Sequence, residues 1–269
     1  MGNIETLDEF RNIVRVVSMF LVCGTLEADL PTKKIQEVRE KNRRLGLGLM
    51  GVHEWLLKRN YPYGMCDELK EWLKVYAEES ERSANLLCDY LGISRPVAYR
   101  AIAPTGSIGI LASTTTGIEP IFAVAYKRRY LTGGDKWNYE YVVDSTAALM
   151  IEQYGIDPDS IDTSNDLAKD PERRIKFQAD VQDYVDMAIS STLNLPEWGS
   201  EVNCEEKVDS MAAIVAKYAP RLRGLTFYPD GSRGGQPLNE VPYAEAKASE
   251  GIVYEENSDA ACKSGVCGV

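Results

Sequence analysis

Short apolar runs alternate with helical stretches along most of this chain. "VAYRAIA", "VAYKRRYL", "TLNLP" and "LRGLTFYPDGS" read as strands. Segments of helical period surround them. "ETLDEFRNIVRVVSMFLV" places Leu7, Phe10, Ile13 and Val17 on one side, "LPTKKIQEVREKNRR" is entered at Pro31, and "CDELKEWLKVYAEESERSANLLCDYLG" stops at Gly92. "NYEYVVDSTAALMIEQYG", "ERRIKFQADVQDYVDMAISS" and "NCEEKVDSMAAIVAKYAP" read as further helices. Parallel strands need helical crossovers, so this order predicts an α/β architecture with parallel strands. From about Gly234 the periodicity fades into Gly, Pro, Ala, Ser and Glu. Residues 234–269 are therefore read as a flexible tail on a body of residues 1–233.

A net charge of −11 argues against a surface built for nucleic acid or anionic membrane, and favours a small-molecule ligand or a protein partner. No apolar run reaches the length needed to span a bilayer. The start "MGNIETLDEF" lacks the basic and apolar regions of a secretory signal, so the expected compartment is reducing and cytoplasmic. In such a compartment a close cysteine pair is more often redox-active or metal-binding than a permanent disulfide. Of the six cysteines, Cys23, Cys66, Cys88 and Cys204 read as structural or incidental. The remaining two, Cys262 and Cys267, form a Cys-x4-Cys pair near the C-terminus. The single histidine, His53, is remote from that pair, which argues against zinc, and no metal site is expected.

Three segments invite a chemical reading. Gly46, Gly48 and Gly51 have the G-x-G-x-x-G spacing of a dinucleotide-binding turn. They follow "EKNRR" rather than an apolar strand, and the acids after them lie on a helix, so that reading is rejected. A short Gly-rich strand packed close to other backbone, then a helix from about Val52, fits better. "APTGSIG" leaves the apolar run "VAYRAIA" through Pro104. Thr105 and Ser107 supply hydroxyls, Gly106 permits close approach, and consecutive N–H groups run up to Ile108. Without a lysine this is no Walker loop, and composition leaves a phosphate cradle and an ordinary Ser/Thr-rich loop both open. The terminal thiols are likewise either a stray pair or a mobile dithiol that exchanges with disulfides in two places.

Taken together, "NRRLGLGLMGVHEWL", "IAPTGSIGILASTTTGIEPIFAVAYKRR", "DYVDMAISSTLNLP", "GLTFYPDGSR" and "CKSGVC" resemble, in order, segments of the large subunit of ribonucleotide reductase. The resemblance implies the C-terminal half of that family's ten-stranded α/β barrel, followed by a redox tail. It implies that Pro104, Thr105, Gly106, Ser107 and Ile108 bind the substrate phosphates. It also implies that Cys262 and Cys267 re-reduce the active-site disulfide after each turnover, themselves recharged by a thioredoxin- or glutaredoxin-type reductant.

The family's Asn-Pro-Cys-Gly-Glu motif, which carries the radical cysteine, is absent from this sequence. A separate N-terminal reductase polypeptide is expected to supply it. "TTTGIEPIFAVAYKRR" looks most like the adenosylcobalamin-dependent class II enzymes, and no adjacent Tyr-Tyr pair for class I radical transfer is present. Adenosylcobalamin is accordingly the expected cofactor and a ribonucleotide the expected substrate. Two alternatives stand beside this one: a non-catalytic nucleotide- or partner-binding module derived from a reductase, and a fragment of a class I large subunit.

Overall fold

The computed structural model describes residues 1–132, 136–229 and 238–256. They form two compact units. The first comprises Met1–Glu119, Asp170–Leu193 and Asp209–Thr226; the second comprises Pro120–Lys169, Asn194–Val208 and the chain from Phe227.

The first unit contains α1 (Leu7–Glu27), α2 (Lys33–Asn42), α3 (Val52–Lys58), α4 (Asp67–Leu91) and the short α5 (Gly106–Leu111). Three extended segments pair in parallel through isolated bridges, Leu47 with Arg100 and Ile102 with Ile189. Leu45 N–H donates to Ala98 O at 2.9 Å, Ala101 N–H to Leu47 O at 3.0 Å, and Ser190 N–H to Ile102 O at 2.7 Å. Both crossovers between these segments contain helices, as parallel pairing favours, and the second also carries two strands, Ala125–Thr132 and Lys136–Val143. Gly48 shows the close backbone approach expected from sequence: a Cβ there would lie 2.9 Å from Ala101 O.

Helices α1 and α4 run side by side in the same direction. Phe10 stacks on Trp72 with ring centroids 4.9 Å apart, Arg15 meets Glu79, and Val22 packs with Ala84 and Cys88. The buried seam of α1 is Phe10, Val14, Ser18 and Val22. This departs from the expected side, because Ile13 is exposed along with Val16 and Phe20. Both faces of α1 are apolar, so its period alone does not say which one is covered.

The second unit is built on an antiparallel sheet in the order β5-β1-β2-β6, with β1 at Ala125–Thr132, β2 at Lys136–Val143, β5 at Leu238–Glu240 and β6 at Val253–Glu256. It also holds α6 (Ser145–Tyr154) and α7 (Ser164–Leu167). Helix α10 (Tyr243–Ala248) buries Ala246 against Ala125 and Val143. The remaining α-helices and strands are α8 (Pro171–Gln182), α9 (Val208–Tyr218) and the paired β3 (Thr192–Leu195) and β4 (Thr226–Pro229) among the described residues.

Three expectations are corrected. "NYEYVV" is the end of β2 rather than the start of a helix, because Asp144 caps α6 by accepting from the N–H groups of Thr146 and Ala147 at 2.9 and 3.0 Å. Helix α8 ends at Gln182, and "MAIS" is extended backbone paired with residues 100–102. The segment from Gly234, expected as a loose tail, contains β5, α10 and β6, held by pairing with β1 and β2. The cysteines also divide. Cys88 is buried, Cys23 is exposed, and Cys66 and Cys204 are partly exposed. Cys66 serves as the N-cap of α4, its sulfur accepting from Leu69 N–H at 3.4 Å.

Candidate functional site

Pro104 follows the middle parallel segment directly, so the "PTGSI" loop lies at the carboxyl end of that strand. In parallel α/β sheets this is the edge where ligands bind. Pro104, Gly106, Ser107 and Ile108 are exposed and Thr105 is partly so. Thr105 sits in the left-handed region, φ 53°, and starts α5 at Gly106. The N–H groups of Gly106, Ser107 and Ile108 form the first turn of that helix and have no acceptor within it. Three free donors and two hydroxyls, on Thr105 and Ser107, thus share one exposed turn. Such a turn suits an anion.

The loop is folded back on its own continuation. Thr105 Oγ1 accepts from Gly117 N–H at 3.0 Å, and Thr105 O accepts from Gly109 N–H at 2.7 Å. Gly109 is needed there, since a Cβ would lie 2.7 Å from Thr116 Cγ2.

Segments far apart in sequence hold this continuation in place. Gly51 N–H donates to Thr115 O at 2.7 Å, Glu54 N–H to Thr115 Oγ1 at 3.3 Å, and Thr114 Oγ1 to Glu54 Oε2. Glu54 is buried and ion-paired with Lys58 at 2.6 Å. Tyr63 OH donates to Ile118 O, and burial raises the pKa of that phenol well above its usual range. Glu119 accepts from Thr192 N–H at 2.7 Å and is bound by the buried guanidinium of Arg174, which also reaches Ser191 Oγ. Gln178 Nε2 donates to Gly224 O at 2.8 Å. The "LGLGLMG", "PTGSIG…GIEP" and "MAISST" segments therefore meet directly, and "GLTFY" is tied in through α8.

Sequence reasoning placed Pro104 to Ile108 on a turn after a buried strand, and the structure agrees. It did not find Tyr63, Glu54 or Arg174. Glu119 carried a signal, as the lone charge in residues 104–122. Arg174 carried none, because an Arg-Arg pair on an amphipathic helix reads as solvent-facing. Cys262 and Cys267 lie outside the described residues. Among the described residues no cluster of His, Cys, Asp and Glu is fit to hold a metal ion. His53 is buried edge-on against Tyr63. No described helix is long and apolar enough to cross a membrane.

Comparison with known proteins identifies the family. Residues 2–79 and 95–219 match the family model "Ribonucleotide reductase, barrel domain". The chain is 27% identical over 269 residues to the vitamin B12-dependent ribonucleoside-diphosphate reductase of Mycobacterium tuberculosis (strain CDC 1551 / Oshkosh), covering 87% of this chain and 38% of that protein. It is 26% identical over 308 residues to the corresponding Thermoplasma acidophilum enzyme, covering 97% of this chain and 39% of that one. The adenosylcobalamin-dependent ribonucleoside-triphosphate reductase of Euglena gracilis is 22% identical over 94% of this chain and 34% of its own length. The chain thus spans about two-fifths of the length of these curated relatives. A crystal structure of a B12-dependent, class II ribonucleotide reductase superposes with a TM-score of 0.71 at 13% identity, over 89% of this chain and 37% of that one. The class Id alpha subunit of Actinobacillus ureae gives 0.57 at 15% identity, over 86% and 47%. With most of its length matched to the family model and its fold shared with a class II enzyme, the chain belongs to the ribonucleotide reductase barrel-domain family.

Proposed function

We propose that this chain is the phosphate-binding and electron-returning part of a class II ribonucleotide reductase. The observation that carries this reading is the Thr105–Ile108 turn, with unpartnered N–H groups at the carboxyl end of a parallel strand, in a chain of this family. The turn anchors the phosphates of a ribonucleoside diphosphate or triphosphate and fixes where the ribose lies. Cys262 and Cys267 of the terminal segment return electrons. Reduction converts the ribonucleotide and two active-site thiols into a deoxyribonucleotide, water and a disulfide. The Cys262–Cys267 dithiol passes two electrons and two protons to that disulfide and becomes oxidised itself. A thioredoxin- or glutaredoxin-type dithiol restores it.

An N-terminal polypeptide supplies the radical cysteine and the remaining strands. One observation supports such a partner: the exposed apolar stripe of Ile13, Val16 and Phe20 on α1. The expected cofactor is adenosylcobalamin, which when bound supplies the initiating radical. No residue of this chain is assigned a contact to it.

The test is reconstitution. This chain, a polypeptide bearing the family's radical-cysteine motif, a ribonucleotide, adenosylcobalamin and a thioredoxin-type reductant should together yield deoxyribonucleotide. Replacing Cys262 and Cys267 with serine should abolish turnover driven by thioredoxin and spare turnover driven by dithiothreitol. Turnover by this chain alone contradicts the need for a partner. Equal thioredoxin-driven turnover by the serine variants contradicts the tail's role and favours a non-catalytic binding module.

A further inference from the structure

We propose that Glu119 and Arg174 are positioning residues for the nucleotide-phosphate loop, an inference that rests on the phosphate-binding role proposed above. Neither touches the turn that would hold the phosphates. They act through a chain of hydrogen bonds. Arg174 Nη2 donates to Glu119 Oε2 and Ser191 Oγ, and Glu119 also receives Thr192 N–H at 2.7 Å. The Glu119 N–H is bonded to Thr116 O at 2.8 Å, which closes the turn that contains Gly117. Gly117 N–H in turn holds Thr105 Oγ1 at 3.0 Å. Tyr63 braces the same turn through Ile118 O, and its ring lies 5.4 Å from the Arg174 guanidinium carbon. The left-handed conformation of Thr105, which aims the N–H groups of residues 106–108, is thus held at its far end by the ion pair of Glu119 with Arg174 of α8.

Two features argue that this pair does more than fill space. Arg174 is only 3% exposed, yet its Nε and Nη1 have no hydrogen-bond partner. Buried donors without acceptors cost stability. A well-packed apolar pair of similar volume is often as stable as a buried ion pair, or more so. An arginine at this position is therefore a poor choice for stability alone, and its value lies in the bonds that Nη2 makes. Moreover, Arg174 Nη2 reaches Ser191 Oγ while the Glu119 carboxylate accepts from Thr192 N–H, so the pair joins the loop to the end of the neighbouring parallel segment. These bonds fix the phosphate turn relative to the next strand of the sheet.

The test compares the unaltered chain with two variants. Glu119→Leu with Arg174→Met removes both charges together and leaves no lone buried ion. Glu119→Gln keeps an acceptor for Thr192 N–H, removes the charge, and carries the test should the double variant fail to fold. Thermal unfolding, amide hydrogen exchange at Gly109 and Gly117, whose N–H groups are bonded to Thr105, and binding of ADP, ATP and inorganic tripolyphosphate are measured on each. The expected result is retained folding, with loop exchange faster and polyphosphate affinity weaker by on the order of tenfold, the size of one lost hydrogen bond. Unchanged exchange and affinity in a folded variant overturn the positioning role. If the unaltered chain binds polyphosphate and the variants bind it equally, only this inference falls. If the unaltered chain binds none of the three probes, the phosphate-binding reading itself falls.

Discussion

Arg15 Nε donates to Glu79 Oε1 at 2.9 Å, tying the middle of α1 to the middle of α4. The same carboxylate accepts from Arg82 Nη2 and from Ser83 Oγ, each at 2.6 Å. Burial pushes the Glu79 carboxyl up, but the hydrogen bonds from Arg82, Ser83 and Arg15 outweigh it and hold the group down at about 2.

This pair sets an acid limit on the first unit. The carboxyl is depressed on folding from an ordinary value of 4.5 to about 2. Its contribution is therefore complete above the ordinary value and is lost as pH falls through the interval between the two. Thermal unfolding of the chain should show a steep fall in Tm across that interval. Glu79→Gln should lower Tm at neutral pH and flatten the acid limb. An identical acid limb in the two proteins would show that other carboxylates govern it.

A pair of glycines offers a sharper test of the parallel strands. A Cβ on Gly48 would lie 2.9 Å from the backbone oxygen of Ala101, and backbone cannot swing aside. Gly48→Ala should destabilise the chain by about 1–3 kcal/mol, the usual cost of overpacking. Gly46 has nothing within 4 Å of its Cβ position, so Gly46→Ala should be neutral or slightly stabilising. Denaturant midpoints decide the matter. Equal effects at both positions would contradict the observed register.

The two apolar faces of α1 should respond differently to truncation. Phe10 is 2% exposed and stacks on Trp72, so Phe10→Ala should cost about 3–5 kcal/mol. Phe20 is 71% exposed, so Phe20→Ala should change the stability of the isolated chain by no more than about 0.5 kcal/mol. Urea denaturation of the two variants measures both values. A large loss at Phe20 would mean that this face is already covered in the isolated chain.

How much was legible depended on whether a feature was local. The order of strand and helix, the stop at Gly92, and the glycine-lined strand at Gly48 follow from period and turn chemistry, which neighbouring residues set. "DYVDMAISS" was misread because its apolar spacing continues that of α8. Beyond the end of the helix the extended path is tied down by Asp186, whose carboxylate takes the N–H groups of Tyr99 and Arg100 at 2.9 and 3.0 Å. Those partners are more than eighty residues away in sequence, and no local pattern announces them. Strands β5 and β6 were missed for the same reason, being short segments ordered by pairing with β1 and β2. In the candidate site the turn itself was legible. Its supports, Arg174 and Tyr63, were not, because their roles come from contacts with residues 118 and 119 rather than from their own surroundings in the sequence.

Ser107 separates the structural role of the phosphate turn from its proposed binding role. It is exposed, and its N–H belongs to the first turn of α5, at the positive end of the helix. A carboxylate introduced there favours the helix and opposes a bound anion. Ser107→Asp should therefore leave Tm unchanged or slightly raised, while affinity for ATP and tripolyphosphate falls by about tenfold or more. Repulsion between like charges at an exposed site is screened by salt, so the loss should shrink as ionic strength rises. Ser107→Asn, of similar size but neutral, should retain most of the affinity. Calorimetric titration at two salt concentrations, with Tm measured on the same samples, resolves these outcomes. Affinity unchanged by Ser107→Asp would mean that phosphates do not bind at this turn. A loss that tracks a fall in Tm would mean that the substitution had only unravelled α5.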